Sequence, residues 1–236
     1  MKKYRAIMFD LDGTLLPMDT DAFAKGYLHM LAQWMEPYGY EEKEFLGAMW
    51  SGVADVLKND GSVLNEKRFW DRFSAILGDG ILEYVDLIDS FYTKDFHKAK
   101  ALTSPNPDAV EALRLARLGA DKVILATNAF FPEVAVNARL EWIGLSLTDF
   151  DLVTVYSNST FCKPNPAYYT EICEKTGVAP GQCLMIGNNV AEDMKPAAAL
   201  GFDTFLVTDY LIDPTGEADK FTRGSFSELI GYLSAI

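Results

Sequence analysis

Along the chain, short unbroken apolar runs alternate with stretches in which apolar residues recur every three or four positions. Ala6-Ile7-Met8-Phe9 stops at Asp10, Val123-Ile124-Leu125-Ala126 stops at Thr127, and Cys183-Leu184-Met185-Ile186 stops at Gly187. Runs of this kind, apolar on both faces, read as buried parallel strands, and each delivers a loop to one edge of a sheet. Residues 152–156 and 204–207 read as two further strands, each following a helical stretch. The helices between them are punctuated. Asn106-Pro107 supplies an N-cap and a first-turn proline to a helix over Val110, Leu113, Leu115 and Leu118 that ends at Gly119. Asn165-Pro166 opens a second helix that Gly177 closes, and a third runs from about 191 to 200 and stops at Gly201. Strand alternating with helix predicts an α/β fold, an open doubly wound parallel sheet with right-handed crossovers.

Residues 17–103 carry no strand pattern. Helical spacing appears in Phe23-Tyr27-Met30-Leu31-Trp34, in Phe45-Met49-Val53-Val56-Leu57, in Phe69-Phe73-Ile76-Leu77 and in Leu82-Val85-Ile88-Tyr92, with breaks at Asp60-Gly61 and Leu77-Gly78-Asp79-Gly80. A four-helix unit inserted after the first strand follows, and 236 residues suit one domain carrying such an insertion. Its aromatics include Trp34, Trp50 and Trp70, which either fill the core of the bundle, the commoner fate, or line a pocket.

Charge narrows the functions. Lys+Arg 21 against Asp+Glu 34 gives a net charge of −13, which excludes the positive footprint a nucleic-acid partner requires and disfavours an anionic membrane surface. The apolar run after Arg5 is too short for a signal peptide, and no window is apolar enough to span a bilayer, so a cytoplasmic protein is expected. Cys162, Cys173 and Cys183 are widely spaced and predict neither disulfides nor a zinc site. His29 and His97 both fall in the insertion, and read as structural or solvated.

The chemistry gathers at the strand ends. Phe9-Asp10-Leu11-Asp12-Gly13-Thr14-Leu15 puts two carboxylates in one tight turn, a costly like-charge arrangement unless a cation or a proton exchange uses it. Thr127-Asn128 ends the second run, Phe161-Cys162-Lys163-Pro164-Asn165-Pro166 holds a lysine ahead of two prolines and a helix, and Gly187-Asn188-Asn189-Val190-Ala191-Glu192-Asp193 follows the third run. In order and spacing these four elements resemble the motifs of the haloacid dehalogenase (HAD) superfamily over nearly the whole chain.

The resemblance implies a Rossmann-like catalytic core from 1–16 and 104–236 and an all-helical cap from 17–103. It implies that Asp10 is a nucleophile forming an aspartyl-phosphate, that Asp12 is the general acid and base, and that Thr127 donates to a phosphoryl oxygen beside Asn128. Lys163 would neutralise charge on the transferring group and on Asp10. Leu11 and Gly13 would belong to the phosphate-binding turn, Gly13 structurally, by letting the backbone turn so that amide N–H groups can face a phosphate, and Thr14 would lock the turn. The fourth element departs from the family pattern, because Asn188 stands where an acid usually helps to hold Mg²⁺. An amide oxygen is an acceptable but uncharged ligand. Asp10, the Asp12 carbonyl and Asn188 are the metal candidates, with Asp193 either a ligand or a support.

The activity this implies is that of a Mg²⁺-dependent phosphatase acting on a small phosphorylated metabolite, as a monomer or homodimer. Asp12 counts against halide displacement. The alternatives are a phosphomutase, a phosphonate hydrolase using Lys25, Lys43 or Lys58 in a Schiff base, or a non-catalytic binding protein with an impaired metal site, for which Asn188 is the one hint. In residues 17–103, 15 acidic against 9 basic side chains supply no basic pocket for a second phosphate. The polar stretch 208–224 is left with no reading beyond an oligomer contact.

Overall fold

The computed structural model describes residues 2–236. Six parallel strands form one sheet: β1 (Tyr4–Phe9), β2 (Ala120–Leu125), β3 (Leu152–Val153), β4 (Cys183–Gly187), β5 (Asp203–Val207) and β6 (Arg223–Gly224), in the order β3-β2-β1-β4-β5-β6. The order reverses at β1, so the loops after β1, β2 and β4 converge at the switch point of a doubly wound α/β sheet, where such folds place their ligands. The register is direct: Phe9 lies opposite both Leu125 and Ile186. The Asp10 N–H donates to the Ile186 carbonyl at 2.8 Å and the Ala126 N–H to the Phe9 carbonyl at 2.7 Å.

Around the sheet lie α5 (Ala109–Gly119), α6 (Glu133–Glu141), α7 (Pro166–Thr176), α8 (Lys195–Ala199) and α9 (Phe226–Ser234), while α1 (Thr20–Met35), α2 (Glu42–Leu57), α3 (Asn65–Leu77) and α4 (Val85–Thr93) form the insertion. The helix expected over 82–92 is split, because a 3₁₀ stretch over Asp79–Tyr84 precedes α4. Asn106 is not the N-cap of α5. Asp108 takes that place, and Asn106 instead accepts from the Asp108 N–H at 3.2 Å and donates through Nδ2 to the Leu15 carbonyl at 2.9 Å. The expected cap is thereby diverted to tie the returning chain to the turn after β1. Asn165 does cap α7, accepting from the Ala167 N–H at 3.0 Å. The helix after β4 opens as a π-helical turn, Val190–Met194, capped by the Asn189 side chain, before α8 begins beside Pro196.

The insertion leaves and rejoins the core side by side. Met18 pairs with Thr103 in an antiparallel bridge, and the Ser104 N–H donates to the Pro17 carbonyl at 2.8 Å. A second attachment lies at the start of α3. Asn65, fully buried, donates through Nδ2 to the Ala129 carbonyl at 2.9 Å and to the Phe161 carbonyl at 3.2 Å, while its own N–H reaches the Ser159 carbonyl at 2.9 Å. Gly61, at φ 86°, lets the chain pass so close that an added Cβ would meet Phe161 Cζ at 2.3 Å. The aromatic interior of the insertion continues into α6 and its end: Phe96 and Phe23 pack on Trp142 with ring centroids 5.2 and 6.2 Å apart, and Tyr27 packs on Phe131 at 5.5 Å. Trp34 pairs with Phe91 and Trp70 with Phe69 and Phe73 inside the bundle. Trp50 alone of these three lines the cavity at the ends of β1, β2 and β4.

Candidate active site

At the ends of β1, β2 and β4 the four sequence elements meet. Lys163, 1% exposed, donates to Asp10 Oδ1 at 2.8 Å and to Asp193 Oδ1 at 2.6 Å. Asp193 is committed on both oxygens, since Oδ2 accepts the Asn189 N–H at 3.0 Å. It therefore anchors Lys163 and the β4 loop, and it also lines the cavity. Desolvation works against the Lys163 ammonium, but the Asp10 and Asp193 carboxylates outweigh it and hold its pKa well above the ordinary lysine value. Burial raises the Asp193 carboxyl, opposed by Lys163 and assisted by Asp10.

In the turn after β1, the Gly13 N–H donates to the Leu16 carbonyl at 2.8 Å. The contribution of Gly13 is steric. At φ 87° it adopts a conformation other residues resist, and a Cβ there would lie 2.3 Å from Asn188 Nδ2. Leu11 closes the turn through its carbonyl, which accepts the Thr14 and Leu16 N–H groups at 3.2 and 2.9 Å. Thr14 Oγ1 sits between Asp10 Oδ2 at 3.3 Å and Asn188 Oδ1 at 3.2 Å.

Asn188 is fixed from behind. Its Nδ2 donates to the Tyr210 carbonyl at 2.6 Å, its carbonyl accepts the Ile212 N–H at 2.9 Å, and the Val190 N–H returns to the Ile212 carbonyl at 2.9 Å. The Tyr210 contact orients the amide so that Oδ1 faces the Thr14 hydroxyl. The 208–212 segment thus folds onto the site. Thr127 lines the cavity, with its carbonyl held by Thr154 Oγ1 at 2.7 Å and the Tyr168 hydroxyl at 2.8 Å, neither of which engages its own hydroxyl. Asn128 Nδ2 donates to Glu192 Oε2 at 3.2 Å, and its Oδ1 is buried without a partner.

One member was not foreseen. Arg139, on α6 and fully buried, ion-pairs through Nη1 with Asp12 Oδ2, and its guanidinium lies 3.9 Å from the centroid of the Phe131 ring. Asp12 Oδ1 is left without a hydrogen-bond partner. Burial raises the Asp12 carboxyl above the usual carboxylate range, with Arg139 pulling the other way and Asp10 adding to the rise. Asp10, Asp12, Thr127, Asn128, Asn188, Glu192 and Asp193 all line a cavity of about 390 Å³ between the sheet edge and the insertion. Two buried cations thus face four carboxylates.

A doubly wound α/β core with a carboxylate and lysine cluster at its switch point, roofed by helices, defines a hydrolase class. A family model of haloacid dehalogenase-like hydrolases matches residues 4–201, and the chain belongs to that family. Among curated proteins, none matches the sequence. Solved structures share the fold at low identity. A HAD phosphatase from Thermococcus onnurineus is 21% identical with a TM-score of 0.59, covering 97% of each chain. A HAD hydrolase from Bacillus subtilis bound to magnesium is 20% identical with a TM-score of 0.59, covering 100% of each. The L-2-haloacid dehalogenase of Xanthobacter autotrophicus with chloropropionic acid covalently bound is 17% identical with a TM-score of 0.57, covering 99% of each.

Proposed function

We propose that this hydrolase is a Mg²⁺-dependent phosphatase that cleaves a small phosphate monoester through an aspartyl-phosphate on Asp10. The observation that carries the reading is Asp12: Arg139 holds one oxygen, while Oδ1 is free of any partner in a residue that lines the cavity beside Asp10. A proton held there serves an alkoxide leaving group. A departing halide, a weak base, has no use for it, and among the described residues no Lys, Arg or His lines the cavity to receive one.

In this mechanism an Asp10 oxygen forms a bond to phosphorus as the bond to the leaving oxygen breaks, and Asp12 transfers its proton to that oxygen. In the second half, Asp12 takes a proton from water as the water oxygen bonds to phosphorus and the bond to Asp10 breaks, restoring the free carboxylate. Lys163, held by Asp10 and Asp193, balances the charge that collects on the phosphoryl group. Thr127 and Asn128 supply neutral hydrogen-bonding groups at the cavity floor. The roof of insertion helices limits bulk water.

The residues fit a hard cation. No three His, Cys, Asp or Glu side chains among the described residues form a ready-made metal cluster, so the donors are mixed: Asp10, the Asp12 carbonyl and Asn188 Oδ1, all oxygens of the kind Mg²⁺ takes. When bound, Mg²⁺ would offset the excess negative charge and help to orient the phosphoryl group. The same geometry weighs against the non-catalytic alternative, since the amide of Asn188 is held with its oxygen on the Thr14 hydroxyl, which also reaches Asp10. Lys25, Lys43 and Lys58 are exposed and outside the cavity lining, which opposes a Schiff-base phosphonate hydrolase.

Two variants test these roles. Asp12→Asn keeps the shape but carries no transferable acid proton, so phosphate release from an alkyl phosphate should fall by roughly 10²–10⁴-fold and from a nitrophenyl phosphate much less. Equal losses would remove Asp12 from proton transfer. Asn188→Asp turns an oxygen toward the Tyr210 carbonyl where an N–H had donated. In a chelator it should cost about 1–3 kcal/mol of stability, while the Mg²⁺ concentration for half-maximal activity should fall because a charge has been added. Unchanged stability to urea would show that Tyr210 does not fix the amide.

A further inference from the structure

The wall facing the catalytic floor points to the leaving group. Above Asp10 the cavity is lined by Phe23 and Tyr27 of α1, Trp50, Val53 and Leu57 of α2, and Phe130 of the loop before α6. Trp50 and Leu57 are 47% and 41% exposed, large apolar surfaces left open toward the mouth. The charged side chains that join them are all acidic, Asp21 and Glu192 beyond those of the floor, and among the described residues no Lys, Arg or His lines the cavity. The two cations of the site are already spent beneath it, Lys163 on Asp10 and Asp193, Arg139 on Asp12. Glu192, whose carboxyl burial raises, adds a further acceptor beside Asn128.

We infer that the substrate is a phosphate monoester of an apolar, uncharged alcohol, aromatic or branched aliphatic, and that the cavity rejects esters bearing a second anionic group. This rests on the phosphatase reading above. A phosphate needs the floor, where Asp10, the oxygen ligands for Mg²⁺ and the neutral groups of Thr127 and Asn128 would meet it, with Lys163 beneath Asp10. The remainder of the molecule meets an aromatic and aliphatic wall that rewards burial of apolar surface. A carboxylate or second phosphate in the same place would lose its hydration, find no cation, and face like charge from Asp21 and Glu192. The size agrees, since about 390 Å³ is near the lower end of the roughly 300–1,000 Å³ typical of small-molecule sites.

The test uses pairs matched in leaving-group reactivity: benzyl phosphate against 4-carboxybenzyl phosphate for turnover with Mg²⁺, and the corresponding benzylphosphonates for binding by calorimetry. The uncharged member should have at least about tenfold higher kcat/KM, and its phosphonate should bind at least about tenfold tighter. Val53→Lys, which places a cation on the wall, should reverse the preference between the two members of each pair. Equal binding of the two phosphonates by the unaltered protein, or a preference for the carboxylate, overturns the inference. If the uncharged phosphonate binds tighter yet neither phosphate is cleaved, the pocket reading stands and the phosphatase reading falls.

Discussion

On the proposed mechanism, Asp10→Asn should abolish phosphate release, lowering kcat by at least about 10⁴-fold, because the nucleophile would disappear while its volume remains. The fold survives, for reasons the geometry makes explicit. Asp10 is one of two carboxylates on Lys163, and the 2.6 Å contact to Asp193 remains after the change. An asparagine oxygen can still accept from Lys163 or Thr14, so the loss of stability should be near 1 kcal/mol, the net worth of an ordinary hydrogen bond. Urea unfolding beside a phosphate-release assay checks both halves. A variant that keeps even a tenth of the activity contradicts covalent catalysis at this residue.

Lys163→Met has the larger structural effect. With the ammonium gone, Asp10 and Asp193 confront each other in a buried site, and removing one partner of a buried ionic group typically costs about 3–5 kcal/mol. Phosphate release is lost as well, since the charge on the transferring group has no fixed counter-ion. The stability loss should depend on pH. Asp193, whose carboxyl burial already raises, would lose the opposing ammonium and titrate further above its unfolded value, so the folded variant binds more protons than its unfolded chain and its stability falls as pH rises between those values. Urea unfolding in a chelator should therefore show a greater deficit at pH 8 than at pH 5.5. Adding Asp193→Asn to Lys163→Met should recover much of that stability and none of the activity. Recovery of activity would mean that Lys163 serves only to hold the loop.

The strands that carry the site are legible because buried parallel strands have unbroken apolar runs. Those before Asp10, Thr127 and Gly187 announced both the sheet and the positions of its chemistry. The insertion was legible through helical spacing, although β6, only two residues long, offers no pattern at all. Arg139 escaped because a sequence does not say which helix faces the first turn. Its one local signal was its register: it stands four residues after buried Ala135 and one before buried Leu140, and an arginine on a buried face demands a carboxylate. The role of the 208–212 segment was out of reach, since its partner is a backbone carbonyl, Tyr210, brought against Asn188 by the strand order rather than by any residue type. Gly13 shows the converse case. Its type was right for a phosphate turn, but its N–H is consumed within the turn and its lack of a side chain admits Asn188.

The family contains fold relatives described as phosphatases and as haloacid dehalogenases, and the two chemistries differ in what leaves Asp10's partner. Incubating the protein with Mg²⁺ and either benzyl phosphate or 2-chloropropionate, and measuring orthophosphate and chloride in parallel, separates them directly. Phosphate released from the ester, lost in a chelator and in Asp10→Asn, with no chloride above the enzyme-free control, is the result predicted from the unpartnered Asp12 oxygen and the cation-free cavity. Chloride release that requires Asp10, with no phosphate from any monoester, would contradict it.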